Sequence, residues 1–424
     1  MSATKTRFEA AKTQLGGTEQ TAQLSFKTAR HAARGRVLSL GLPQKRDEYW
    51  RYSDPSPLTS KLPALAHSGA SANYGSAYAS INALKLVFVD GVFDKSLSDN
   101  LVLEGAEISL LEQGAPWADE LYGTLEARGQ IPVARPLASL NTAIATQGLL
   151  VRVFGKCDRP IIITYNSKTD GCDVILHHFI KIEQAGSLTL IENGTLGARG
   201  NIVCEVDLDD HTQLHHIRTQ GQDHDRHALT HLFARLGNES LLKSFTLTAN
   251  GRFTRNEAVV EMLGHDAKAH LAGAAMGGTD FHHDDTLFIT HSGLRCESRQ
   301  VFKKVLSGGA VGVFQGKILV KKSAQKTDGY QMSQSLLLDD NSQFLAKPEL
   351  EIYADDVKCS HGSTTGAIDD TALFYLRSRG ITLDEAKALL ILAFLADALA
   401  EIDDGTIAEL TGDLLSAWVG KVRV

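Results

Sequence analysis

The sequence predicts a mainly β protein in which a long strand-rich middle is flanked by helical regions at both ends. Three observations carry that prediction. From about Leu149 to Glu351 apolar and polar residues alternate in short runs, as in Ile202, Cys204, Val206 and Leu208 separated by Val203, Glu205 and Asp207, which is the two-residue period of a strand. Turn-forming residues break these runs at Asn193-Gly194, Asp209-Asp210, Asn250-Gly251, Gly264, Gly277-Gly278, Gly293, Gly308-Gly309 and Gly316. Outside this stretch the apolar period lengthens to three and four residues, that of a helix. Short strands and turns over such a length fit a large sandwich or a parallel solenoid whose turns bury their apolar faces on one another. Single Gly, Asn and Asp corners between Val, Leu and Ile favour the solenoid, because each corner must turn sharply in little space.

Taken in order, residues 1–80 read as a helical region and connector, 81–148 as a mixed lead-in, 149–370 as the β core and 371–424 as a helical domain. Phe26, Ala29, Ala33, Val37 and Leu40 recur on one helical face before Gly41 and Pro43 end the pattern. Ser53 to Ser80, rich in Ser, Ala, Pro and Tyr, reads as a connector, and Leu84 to Phe93 as strands around Asp90-Gly91. Thr371 to Arg379 is helical and closes at Gly380; Thr382 with Glu385, and Thr406 with Glu409, have the spacing of capping boxes. Between those boxes, Leu389 to Leu392, Phe394 and Leu395 cover more than one side of a helix, so that helix calls for burial on several sides and nominates Leu390 and Phe394 as partner-binding residues.

Composition narrows the function. With 43 Lys and Arg against 50 Asp and Glu and no basic block, nothing draws the chain to nucleic acid. The opening residues lack the apolar core of a secretory signal, and the longest apolar run, Ala388 to Ala396, is far short of a membrane span, so a cytoplasmic protein is expected. Five scattered cysteines without a CxxC pair predict reduced thiols and neither a disulfide framework nor an autonomous metal site.

Several motifs invite chemistry. Gly312 to Ile318 looks like a phosphate loop, but its glycine spacing is short and Ile318 stands where a hydroxyl is needed, so a strand–turn–strand corner is expected. His211, His215, His216, His224, His227 and His231 crowd one segment; His227 and His231 would share a helix face as a metal clip, although Ala228 replaces the glutamate that hydrolysis requires. His282-His283-Asp284-Asp285, with His291, reads as a polar turn, since strand neighbours would point to opposite faces, and Glu297, Arg299, Lys303 and Lys304 read as a solvated face. No nucleophile elbow is present. If Glu349 to Gly362 contains a strand, Cys359 and His361 project from one face, where thiolate and imidazole could each donate to iron; a plain buried thiol and a hydrogen-bonded histidine are the equal alternative.

Linked motifs then make the sequence specific. Ser298-Arg299 with Phe302-Lys303, Phe314-Gln315-Gly316-Lys317-Ile318, Ala324 to Gly329 with Gln331, Lys347 to Gly362 and Leu373 to Gly380 resemble, in order, the SufB/SufD family of iron–sulfur cluster assembly proteins. Weaker echoes are Gly41-Leu42-Pro43 with Glu48, Trp50, Arg51 and Tyr52, and Leu140 to Ala143. The resemblance implies a right-handed parallel β-helix between helical regions and a non-enzymatic scaffold. It further implies pairing with a SufB-type subunit, with self-pairing when isolated, and docking of a SufC-type ABC ATPase on the C-terminal helices. The short N-terminal region and His361 look like the SufD branch, which makes Cys359 and His361 candidates for the place where a nascent cluster forms. No cofactor is expected to be tightly held: the cluster is transient, and a reduced flavin is an additional ligand the assembly could take. The rival readings are a SufB-like main scaffold, a β-helical carbohydrate-active enzyme working through paired carboxylates, and a histidine-based metal carrier.

Overall fold

A computed structural model describes residues 3–15, 25–60, 77–169, 171–221 and 225–420. The body is a parallel β-solenoid. From Leu149 to Gly366 the chain passes alternately between two sheets, of ten and nine strands, so that each strand pairs with the one two places later. Arg199 lies beside His227 and His227 beside Phe253. Partners in adjacent turns such as Lys181 and Asp207, or Gln300 and Gln331, are 26 and 31 residues apart. The corners fall at most of the anticipated turns, where Asn250, Asp266, Asp280 and Arg295 adopt positive φ.

Ile202, Cys204, Val206 and Leu208 point into the coil and stack on their counterparts in neighbouring turns. Val203, Glu205 and Asp207 point outward, as the alternation requires, but are buried as well: helical segments cover Val203 and Glu205, and Lys181 and Arg235 of the flanking strands cover Asp207. The middle of the lumen is polar. Glu192 accepts hydrogen bonds from Tyr165 Oη (2.6 Å) and Arg218 Nη2 (2.6 Å) and pairs with His216 (2.8 Å), while further along Lys304 contacts His283 Nδ1 (2.7 Å) and Asp285. Buried groups of this kind are tolerable only when paired, and here they pair across turns.

The first turn is blunted by two antiparallel strands. Val92–Phe93 folds back on Leu84–Val89, and Ala106–Leu110 runs against Leu149–Val153. The last turn has no such cover: Gln343–Ile352 and Lys358–Gly366 end their sheets with one edge unpaired among the described residues.

Helices clothe both outer faces. Over the nine-stranded sheet lie Lys27–Leu40, whose Ala33 and Val37 pack on Leu137 and Leu140 of Pro136–Ile144, and the short helix Thr124–Arg128. The Glu205 carboxylate accepts from Gly123 N (2.6 Å), Leu125 N (2.8 Å) and Glu126 N (3.1 Å), supplying from the sheet the cap that the short helix lacks in its own sequence. Over the ten-stranded sheet, Ile391, Leu395 and Ala398 of Leu383–Leu399 and Ile407, Leu415 and Trp418 of Gly405–Val419 pack on Phe245, Leu247, Ala274, Met276 and Val301. No helix among the described residues is long and apolar enough to cross a membrane.

The structure corrects several expectations. His282–His291 is a strand, not a turn; His283, Asp284, Asp285 and His291 are buried, each with a hydrogen-bond partner, and His282 is partly buried. Lys303 and Lys304 are buried rather than solvated, Lys303 beneath the C-terminal helices and Lys304 in the lumen. Gly312 to Ile318 lies inside the continuous strand Val311–Val320. His227 and His231 stand on the strand His227–Leu236, which places them about 13 Å apart, so they form no helical clip. The box at Thr382 and Glu385 is formed, but the last helix is capped by Asp404, whose carboxylate accepts from the Thr406 and Ile407 amides, and not by Thr406. The apolar helix at Ala388 to Ala396 finds much of its cover on the chain's own sheet. Most of the expected connector, residues 61–76, lies outside the described residues, as does His224. The helix Ala3–Leu15 was not anticipated, its apolar residues being too few to mark a face.

Candidate functional site

The strand Lys358–Gly366 pairs on one side with Asp328–Leu337, setting Cys359 beside Gly329 and His361 beside Gln331. Gly329 faces the lumen, where a Cβ on it would meet Ile318 and the Cys359 sulfur. Gln331 is wholly buried and donates from Nε2 to Gln300 Oε1 (2.8 Å). Cys359 and His361, two residues apart, therefore share the lumen side of the last turn, and Lys358 and Ser360 take the other. The two-residue period of the strand thus places both candidate donors together at the uncovered end.

Their surroundings differ. Cys359 is half-buried against a cluster of Ile318, Val320, Ala324 and Ala354 with Leu350 and Val357. Burial pushes its thiol above the ordinary value, and the Gly329 backbone contact only partly opposes this. The sulfur is thus a neutral thiol at neutral pH and must give up a proton to become a ligand. His361 is exposed at the rim. Among the described residues no group of three or more His, Cys, Asp or Glu is arranged to hold a metal ion. Two donors at an open end suit a shared site better than a self-sufficient one.

The crowded histidines do not converge. His216 faces the lumen and bonds Glu192 and Ser244, whereas His231 faces the N-terminal helices, where burial holds it neutral with a value lowered to about 4. His211 sits at a turn.

The two nominated docking residues are only half available. Leu390 and Phe394 are half-buried, and Lys303 Nζ lies 4.7 Å from the centre of the Phe394 ring. The neighbouring helix Asp370–Ser378 buries no residue of its own, and leaves Phe374 75% and Tyr375 57% exposed; Leu389 is 48% exposed. Sequence reading passed over Phe374 and Tyr375 because aromatic residues in a short helix ordinarily mark a core-facing side. The uncovered apolar face of Asp370–Ser378 is what distinguishes them.

A family model described as the SufBD core domain of the SUF system for FeS cluster assembly matches residues 164–394. The chain is 29% identical over 386 residues to the iron–sulfur cluster assembly protein SufD of Escherichia coli (strain K12), covering 87% of each chain. It is 28% identical over 403 residues to an iron–sulfur cluster assembly SufBD family protein of Synechocystis, covering 89% of this chain and 86% of the other. Over 412 residues it is 26% identical to the chloroplastic protein ABCI7 of Arabidopsis thaliana, covering 91% and 84%.

Proposed function

This chain belongs to the SufBD family of SUF-system iron–sulfur cluster assembly proteins, and from that premise we propose that it is a SufD-type scaffold subunit. It pairs through the last turn of its solenoid with a SufB-type subunit and receives a SufC-type ABC ATPase on its C-terminal helices. One observation carries the reading: Cys359 and His361 share the lumen side of a strand whose second edge is unpaired among the described residues. Such an edge is a template for another chain's strand, so the two donors come to lie at the seam of the pair.

The chemistry asked of this subunit is ligation, with no bond-making catalysis. The cluster is cargo: as iron arrives, the Cys359 thiol releases its proton to solvent and binds as the thiolate, and the His361 imidazole donates a lone pair to the same metal. Two donors are too few for a cluster, and the partner supplies the rest. ATP is hydrolysed by the docked ATPase, whose grip on Phe374, Tyr375, Leu389 and the neighbouring Leu390 and Phe394 transmits movement to the seam.

Co-expression with both partner types tests this. Cys359→Ser and His361→Ala should leave the complex assembled while its iron and sulfide fall. Hydrogen exchange at 343–352 and 358–366 should slow when the SufB-type subunit is added, and unchanged exchange would remove the seam. Phe374→Asp with Tyr375→Asp, or truncation after Gly380, should release the ATPase; full ATPase recovery would remove that assignment.

A further inference from the structure

Behind His361 the lumen holds a short ladder of amides. Leu271, Gln300, Gln331 and His361 are register neighbours on successive strands of one sheet. Gln300 and Gln331 are wholly buried. The Gln331 Nε2 is committed to Gln300 Oε1 at 2.8 Å, which turns the Gln331 carbonyl oxygen away from Gln300, and that oxygen has no partner although it is sealed from water. An orphaned buried acceptor of this kind is rare and costly, and here its next register neighbour is an imidazole with free ring nitrogens.

Gly316 on the facing sheet shows that the amide's place is built. A Cβ at position 316 would meet Gln331 Cδ at 2.7 Å and Phe314 Cε1 at 2.8 Å, so only glycine leaves room for the Gln331 side chain to lie as it does. This accounts for a glycine in mid-strand, where it otherwise weakens the element.

We propose that Gln331 is a positioning residue for His361: its Oε1 accepts the N–H of the imidazole, which fixes the tautomer and turns the other ring nitrogen, with its lone pair, towards the open end of the solenoid. Gln300 acts one step further back by holding the Gln331 amide in that sense. A ligating histidine commonly donates its second ring nitrogen to a carbonyl in this way, and loss of such support lowers metal affinity by roughly ten- to a hundredfold. The inference rests on the reading of His361 as a donor to the cargo, but the hydrogen bond itself can be tested without cargo.

The full-length chain labelled with 15N-histidine, observed near pH 8.5 where imidazoles are neutral, reports the tautomer directly from the two ring-nitrogen shifts, and His361→Ala identifies the resonance. The wild type should show a single tautomer. Gln331→Met, which keeps the volume and removes the acceptor, should average the two nitrogens, whereas Gln331→Glu, which keeps an acceptor oxygen, should restore one. Gln300→Ala, which frees the amide to turn, should average them in part and serves if Gln331→Met does not fold. An unchanged His361 signal in Gln331→Met, or in Gln300→Ala where only that variant folds, overturns the proposal. In the assembled complex, Gln331→Met should retain several-fold less iron than the wild type. If His361→Ala retains full iron and sulfide, the site reading fails whatever the tautomer shows; if His361→Ala loses them while Gln331→Met leaves the tautomer fixed, only the positioning role fails.

Discussion

Over one sheet the N-terminal helices are held by charges sealed from water; over the other the C-terminal helices are held by aliphatic contact, with ion pairs left at the rim. On the first face Arg135 pairs with Glu257 (2.8 Å), Arg255 pairs with Glu257 (2.7 Å) and with Asp284, the Trp50 ring lies 4.2 Å from the Arg255 guanidinium, and Ser53 donates to Asp284 (2.5 Å). On the second, Lys243 pairs with Asp403 (2.6 Å), Lys303 with Asp397 (2.6 Å) and Arg299 with Glu401 (3.0 Å), the Asp397 and Asp403 carboxylates being well exposed. Lifting the first cover would part the sealed Arg135–Glu257 pair and strip Trp50 from Arg255 and Ser53 from Asp284. Lifting the second returns its ions to water at little electrostatic cost. The C-terminal helices are therefore the cover that can move while the solenoid stays folded, which is what the proposed ATPase docking requires.

The strongest way to break this contrast is at the sealed cluster. Arg255→Ala leaves Asp284 without its cation and Glu257 with Arg135 alone, and should cost about 3–5 kcal/mol, read as a lower urea midpoint for the whole fold. A loss under 1 kcal/mol would mean that the charges are not what binds the N-terminal cover. Next in size, Leu395→Ala on the other face should remove about 2–5 kcal/mol by leaving a cavity. That loss should appear as faster hydrogen exchange confined to 383–419, with solenoid protection intact. Global unfolding would show that both covers are equally integral.

Acid sharpens the contrast further. Burial alone would raise the Glu257 carboxyl, but the Arg255 and Arg135 charges carry it down to about 2. Its contribution is complete above the ordinary glutamate value of about 4.3 and is lost as pH falls through 2. His231 and His283 have the opposite charge type and are held neutral by burial, with values lowered to about 4 and about 3. The unfolded chain takes up their protons from about pH 6.5 downward, so stability should begin to fall there, before any carboxylate titrates. Melting temperatures flat from pH 7 to pH 5 would contradict the neutral buried imidazoles. The smallest effect belongs to the rim: Lys243→Ala should cost at most ~1 kcal/mol, and less still in 1 M salt, by the same thermal measurement.

The strands were legible wherever one side of the alternation was apolar, as at Ile202 to Leu208, and the shared face of Cys359 and His361 followed from parity alone. Lys304, His283 and Asp285 misled because their partners lie across the lumen on the facing sheet, roughly twenty residues along the chain, where no local pattern can show them. Gly316 read as a corner because the side chain it makes room for, Gln331, belongs to the facing sheet. Phe374 and Tyr375 show the reverse limit: a sequence marks apolar residues but not whether its own chain covers them.

A coil with two open ends could add copies head to tail without limit. Here Val92–Phe93 and Ala106–Leu110 blunt the first turn, and among the described residues only the strands at 343–352 and 358–366 present a long unpaired edge. A body with one adhesive end can form pairs and nothing longer: two such ends meeting about a twofold axis, exact or approximate, use each other up. Assembly through this edge is therefore self-terminating, and the short antiparallel strands at the far end are what keep a sheet-forming protein from becoming a fibre.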